Sequence, residues 1–244
     1  MMYSQSLFSF SKKNTGIVCF LMFLLTSCQQ AKQEIAIPPD QVTAVLTQFG
    51  KENPENQVVI HVKNVGDIYL KLYEEMPLHR ANFVRLIKLG HFKSGNFYRI
   101  VSDFMIQGGN QTVAEQKFTI PAEFNEKFIF KKGVLAMARR DENNPDKRSS
   151  PTEFFIISGR SYQNEASLKD AIGDAARTFE SYTSEQIKTY LQVGGDARMD
   201  FRYTVFGEVT QGLALVEQLA QEPVYEGEKP MSKLSFTVEL TKTP

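Results

Sequence analysis

The stretch Phe97-Tyr98-Arg99-Ile100-Val101-Ser102-Asp103-Phe104-Met105-Ile106-Gln107-Gly108-Gly109 sets one Arg and one Gln among large apolar side chains. Residues 97–101 and 104–107 read as short strands, rich in aromatic and β-branched residues. The pair Gly108-Gly109 reads as the turn that ends the second of them. An Arg keeps its charge at every relevant pH. Arg99 is therefore either half of a surface ion pair or a working group, and a strand of this composition does not decide between them.

The same strand pattern continues on both sides. Upstream, Val58, Ile60 and Val62 alternate with polar neighbours, and after Gly66 so do Ile68, Leu70 and Leu72, which reads as a hairpin with one buried face. Pro77 then opens a helix whose apolar stripe is Phe83, Val84, Leu86 and Ile87, and Gly90 is placed to cap it. Downstream, 134–138, 153–157 and 203–209 read as strands and 213–220 as a second helix. In the last strand Leu234, Phe236, Val238 and Leu240 face one way, with Ser235, Thr237, Glu239 and Thr241 facing the other.

Many short strands and two helices imply a mainly β fold, a closed antiparallel barrel with helices on its ends, with an open sandwich as the other architecture. Two segments interrupt the pattern. Residues 141–151 have loop composition, whereas 161–198 is too long for a plain loop and should carry helices of its own. Thr183 and Gln186 there match a capping box ahead of Ile187, Tyr190 and Leu191. Ahead of the strands, Pro39-Asp40 opens and Gly50 closes a short helix with Val42, Val45, Leu46 and Phe49 on one face. Residues 51–57 are turn-rich.

The 244 residues, 42% of them hydrophobic, suffice for one domain with a real core. The charge is balanced, 28 basic against 28 acidic residues, which argues against a nucleic-acid binder. Two Cys exclude a disulfide framework and a four-thiolate zinc site. His61, His79 and His91 have no ligand-like spacing, so neither metal nor cofactor is expected. No Ser lies in a Gly-x-Ser-x-Gly setting and no phosphate loop follows a strand. Glu74-Glu75 reads as a solvated pair.

The N-terminus has the order of an export signal. Lys12 and Lys13 precede an apolar run from Ile17 to Leu25 that is too short to span a bilayer comfortably. The run ends in Leu25-Thr26-Ser27-Cys28, which resembles the bacterial lipobox, with Cys28 as the lipidated first residue of the mature chain. The domains expected are thus a lipoprotein signal at 1–27, a tether and short helix at 28–57, and the regular domain at 58–244. The location expected is the cell envelope, facing the periplasm, with the membrane held through the N-terminal lipid.

Phe97-x-Arg99 followed by Phe104-Met105-Ile106-Gln107-Gly108-Gly109 closely resembles the signature of the cyclophilin-type peptidyl-prolyl isomerases. Further resemblances occur in the family's order: Gly66-Asp67-Ile68, Asn82-Phe83, Gly133-Val134-Leu135-Ala136-Met137-Ala138, Phe154-Phe155-Ile156 and Val205-Phe206-Gly207-Glu208-Val209. They run from about residue 58 to the C-terminus. The resemblance implies a closed eight-stranded antiparallel barrel capped by two helices, with the helical insertion at 161–198 added. It implies a peptidyl-prolyl cis-trans isomerase that assists the folding of exported proteins.

By the same resemblance Arg99 and Gln107 are the catalytic residues, Gln107 bonding the substrate backbone. Phe104, Met105, Phe155 and Met199 form the apolar proline pocket, with Ala138 at the substrate edge and Tyr203 as a further wall. The partners implied are proline-containing polypeptides, with no nucleic acid and a monomeric protein. Several positions depart from the pattern, Arg198 falling near the place of a Trp in many eukaryotic members. Tyr203 and Tyr98 stand where many members carry His, Glu153 replaces a Gln, and Arg139 replaces an Asn. Those at Tyr203, Glu153 and Arg139 motivate the competing class, a module that binds Pro-containing segments as a chaperone or scaffold without turnover.

Overall fold

The computed structural model of the protein describes residues 36–110, 118–173 and 176–242. Eight strands and five α-helices are present among the described residues. Helix α1 (Val42–Glu52) comes first, followed by β1 (Gln57–Val62), β2 (Gly66–Leu72) and α2 (Pro77–Lys88). Next come β3 (Gly95–Val101), β4 (Met105–Gly109), β5 (Val134–Met137) and β6 (Glu153–Ile157). Helices α3 (Glu165–Ile172) and α4 (Ser184–Val193) then precede β7 (Val205–Gln211), α5 (Leu213–Leu219) and β8 (Leu234–Leu240). The strands close into an antiparallel barrel in the order β1-β2-β7-β5-β6-β4-β3-β8, with β1 pairing β8 to shut the ring. An open sandwich is thereby excluded. Closure leaves no free sheet edge.

The barrel interior is filled by side chains, as expected of a small barrel. Phe154 on β6 is the hub: its ring meets those of Phe83, Phe92, Phe97 and Phe236 at centroid distances of 5.5, 5.8, 6.3 and 5.7 Å. All five rings are essentially solvent-free. Edge-to-face and tilted pairs of this kind add to the stabilisation from area burial. Phe236 explains Gly108, which lies inside β4 and not in the turn expected from the Gly-Gly pair. A Cβ at Gly108 would come within 2.9 Å of both Phe236 and Phe97, so the strand needs a glycine to let the two rings lie across it.

Helix α1 also departs from the sequence expectation, because Gly50 sits within it and the helix runs on to Glu52. Gly50 is buried against α2, where an added Cβ would lie 3.1 Å from the Ala81 Cβ. The glycine marks a close helix contact, not a stop. Ile37, Val42 and Leu46 pack with Leu78, Ala81, Phe118 and Ile120, and the compact unit accordingly begins at Ile37. At the end of α2 Gly90 takes the left-handed conformation expected of it, with φ 71°.

The insertion carries two α-helices. The Thr183–Gln186 capping box opens α4 as expected. A second box, Asn164 with Ser167, opens α3 and is not evident from an apolar pattern. A core of its own, centred on Tyr162, Leu168, Tyr182 and Tyr190, holds the insertion together. Asp200 ties that core to the barrel. Its carboxylate accepts from the Tyr182 hydroxyl at 2.6 Å, the Tyr190 hydroxyl at 2.8 Å and the Phe130 N–H at 2.7 Å.

Burial raises the Asp200 carboxyl to about 6 despite these donors. An acid whose pKa is higher folded than unfolded stabilises the fold in its protonated form, and this stability is lost as pH rises through about 6. His91 acts in the opposite sense, since burial lowers it to about 4 and stability is lost as pH falls below the ordinary histidine value. Acidification from pH 7.5 to 5 is therefore expected to favour the parent over Asp200→Asn by about 1.4 kcal/mol. Denaturant midpoints at the two pH values measure it, and a variant whose stability tracks the parent's contradicts it.

Candidate active site

The site is built on the outer face of β3, β4, β5 and β6. Antiparallel pairing sets Arg99 opposite Gln107, and Gln107 opposite Phe155. Strict alternation would put Phe97 and Arg99 on one face. The β3–β4 register instead shifts between Phe97 and Arg99, a bulge at Tyr98. Phe97 packs inside the barrel against Phe154 and Phe236, while Arg99 bonds to Gln107 outside. Bulges re-aim side chains in this way.

One pocket of about 80 Å³ is lined by Arg99, Phe104, Met105, Gln107, Ala138, Arg139, Phe155, Met199 and Tyr203. All eight residues singled out in the sequence for catalysis or substrate contact thus line one cavity, and Arg139 joins them. Cys28, the expected lipidation site, lies outside the described residues. The pocket is small, of the order of three liquid-water volumes, a size suited to a single aliphatic ring. Its apolar wall is well ordered by packing: Phe155 is 4% exposed, Phe130 stacks behind it at 6.2 Å, and Tyr203 meets its edge at 5.5 Å. Arg139 lies over the Tyr203 ring at 4.5 Å and is held by Asp141 at 2.7 Å. Burial raises the Tyr203 phenol, so it stays protonated. Met199 reaches the pocket on the segment next to Asp200, and the tyrosine anchor of the insertion thereby seats one wall.

The polar side of the pocket is a chain of hydrogen bonds. Arg99 Nη1 donates to Gln107 Oε1 at 3.2 Å, and Gln107 Nε2 donates to the Tyr98 hydroxyl oxygen at 2.9 Å. Tyr98 is bonded in turn to Glu153, and burial followed by the Glu153 charge pushes its phenol well above the ordinary value. The departures at Tyr98 and Glu153 therefore belong to one network. At the other end Arg99 Nε donates to Glu228 Oε2 at 2.6 Å. Glu228 is 129 positions from Arg99 and has no signature in the sequence. Arg99 thus makes a surface ion pair and also lines the pocket.

This arrangement can grip an apolar ring and present a permanent cation to a neighbouring amide. Among the described residues that line the pocket there is no Ser, Thr, Cys, Lys or His. The buried set His79, Glu123 and Ser149 has the hydrogen bonds of an acid–histidine–serine relay, at 2.6 and 2.9 Å, but His79 and Ser149 are almost wholly solvent-free. That set joins α2 to two loops, and none of its residues lines the Arg99 pocket. A larger cavity of about 850 Å³ lies between the β2 and β7 side of the barrel and α4. It lacks every residue of the Arg99 cluster. Two of its lysines are paired within it, Lys127 with Glu75 and Lys131 with Glu208.

Comparison with known proteins yields one family. The family model described as cyclophilin type peptidyl-prolyl cis-trans isomerase/CLD matches residues 57–239. A protein of Staphylococcus saprophyticus bearing the name peptidyl-prolyl cis-trans isomerase is 28% identical over 191 residues, covering 75% of this chain and 89% of its own. One of Staphylococcus aureus with the same name is 28% identical over 193 residues, covering 75% and 91%. Among solved structures, a cyclophilin type peptidyl-prolyl cis-trans isomerase of Cryptosporidium parvum matches with a TM-score of 0.52 at 21% identity. The match covers 78% of this chain and 99% of that one. The same protein crystallised in the presence of the dipeptide Ala-Pro matches with a TM-score of 0.51 at 21% identity, covering 77% and 99%.

Proposed function

The chain belongs to the cyclophilin-type peptidyl-prolyl cis-trans isomerase family and is a prolyl isomerase, and from that premise we propose that its Arg99 pocket turns X-Pro bonds of exported polypeptides at the cell envelope. The observation that carries the reading is the convergence of Arg99 and Gln107 with Phe104, Met105 and Phe155 on one pocket.

An X-Pro bond resists rotation because amide resonance sets a barrier of roughly 18 to 20 kcal/mol, so uncatalysed exchange takes tens to hundreds of seconds. No covalent bond breaks. The protein has to hold the proline ring while the rest of the chain rotates and to stabilise a prolyl nitrogen that regains its lone pair as resonance is lost. Phe104, Met105, Phe155 and Met199 hold the ring, and Gln107 bonds the adjacent backbone. Arg99 donates to the twisted amide, a task suited to a group that is always charged and purely a donor.

Accelerating exchange from about 0.01 to about 1,000 per second takes roughly 7 kcal/mol off the barrier. One charged hydrogen bond supplies about 1.5 to 3 kcal/mol. The remainder falls to positioning and to exclusion of water by the Phe155–Tyr203 wall.

The envelope location is supported by Lys12-Lys13, the apolar run after them and the lipobox-like Leu25-Thr26-Ser27-Cys28. A lipid on Cys28 holds the isomerase at the membrane, where it acts as a monomer on proline-containing polypeptides emerging from export. Cys28→Ala is expected to move the protein from the membrane fraction to the soluble fraction of the envelope without loss of peptide exchange. Retention with the membrane contradicts the anchor.

A further inference from the structure

The turn between α5 and β8 brings a carboxylate to the guanidinium of Arg99. Its hydrogen bonds fix it in place: Tyr225 N–H donates to Lys229 O at 2.8 Å, and Glu228 N–H to Tyr225 O at 3.1 Å. The Ile100 N–H, on the strand that carries Arg99, donates to Glu228 O at 2.8 Å. Glu228 sits in the left-handed region with φ 65°, directly after Gly227 at φ 81°. That region is disfavoured for any residue with a Cβ, and glycine is the residue it suits.

Stability does not account for a glutamate there. The ion pair it makes is open to solvent, with side chains 41% and 42% exposed, and such pairs contribute little. What the glutamate does supply is an acceptor for Arg99 Nε at 2.6 Å. With Nη1 on Gln107, two of the three guanidinium nitrogens are tied, and Nη2 has no partner among the described residues. Two bonds to a planar fork fix both its place and its plane.

From this juxtaposition we infer that Glu228 is the positioning residue of Arg99: it clamps the guanidinium through Nε so that Nη2 is presented to the X-Pro amide in the pocket. The inference rests on the isomerase reading of Arg99 and adds to it a residue from a distant turn. Without the clamp, Arg99 regains rotamer freedom that the rotating amide must quench each time it is bound in the transition state. Apolar binding of the proline ring does not involve Glu228.

The test compares Glu228→Gly, Glu228→Gln and Arg99→Ala, reading kcat and KM for exchange of an X-Pro peptide together with the 15N–1H signal of Arg99 Nε. Glu228→Gly deletes the carboxylate and relaxes the backbone. It is expected to melt no lower than the parent, to lose kcat about three- to tenfold, the cost of freeing one long side chain, and to leave KM within about twofold. Its Arg99 Nε signal should move towards that of a solvated guanidinium. Glu228→Gln keeps an acceptor oxygen and is expected to recover most of kcat. The inference is overturned if Glu228→Gly keeps the parent kcat, if its defect lies in KM, or if Glu228→Gln is no better than Glu228→Gly. A collapse on Arg99→Ala beside an indifferent Glu228 leaves the site reading standing and removes only the clamp. An Arg99→Ala enzyme with parental kcat removes both.

Discussion

Arg99→Ala is expected to lower kcat/KM for X-Pro exchange by about 10- to 150-fold, the value of one charged hydrogen bond of about 1.5 to 3 kcal/mol made to the twisted amide. The loss should fall on kcat. Peptide affinity is set by the apolar wall, where Phe155 is fixed by Phe130 and Tyr203, and should stay within about twofold. An interaction made only in the transition state lowers kcat and kcat/KM together. The fold should not suffer, because Arg99 is a partly exposed residue whose ion pair faces solvent. Arg99→Lys should not rescue: an ammonium cannot bridge Glu228, Gln107 and substrate as a planar fork does. A variant whose defect is confined to KM would show that Arg99 holds the ground state, contrary to the role assigned to it.

The second large effect separates two neighbours on β6. Phe154 points into the barrel and Phe155 into the pocket, so truncating each to Ala should injure different properties. Phe154→Ala removes the hub of four ring contacts in a solvent-free interior. It is expected to cost about 3 to 5 kcal/mol, a large part of a total stability of about 5 to 15 kcal/mol. For a domain of this size that lowers the melting temperature by roughly 6 to 20 °C. Phe155→Ala opens the pocket wall instead. It should melt closer to the parent and raise KM, because the ring assigned to the proline pocket is gone. Equal melting losses for the two variants would mean that Phe155 serves the core as Phe154 does.

How much of this is legible in the chain depends on the range of the interaction. The alternation of β8 and the capping box of α4 are local, and both stand in the sequence as written. The site residues on 97–109 also stand together there, because β3 and β4 are consecutive strands. Their common orientation is another matter. The bulge at Tyr98 reverses the face on which Arg99 lies relative to Phe97, and no composition rule announces it.

Gly50 and Gly108 illustrate a second limit. A glycine reads as punctuation, yet both lie inside regular elements because another side chain occupies the space of their missing Cβ. That space is defined by Ala81 and Phe236, residues far away in the chain. Glu228 and Asp200 mark the third limit. One holds the guanidinium of Arg99 and the other the tyrosines of the insertion, and each is an ordinary acid until the barrel closes. Asp141 and Tyr203 likewise acquire meaning only through Arg139, which links them across the pocket rim.

The most direct test is to titrate the 15N-labelled protein with a short Ala-Pro peptide and record peptide exchange spectra with protein shifts in one sample. The expected result is cis–trans exchange cross-peaks that appear only with protein present, accompanied by shifts at Gln107, Ala138, Phe155 and Tyr203. Shifts at those residues without exchange, or shifts confined to the cavity of Tyr73, Phe128 and Gln186, would contradict the assignment of prolyl isomerisation to the Arg99 pocket.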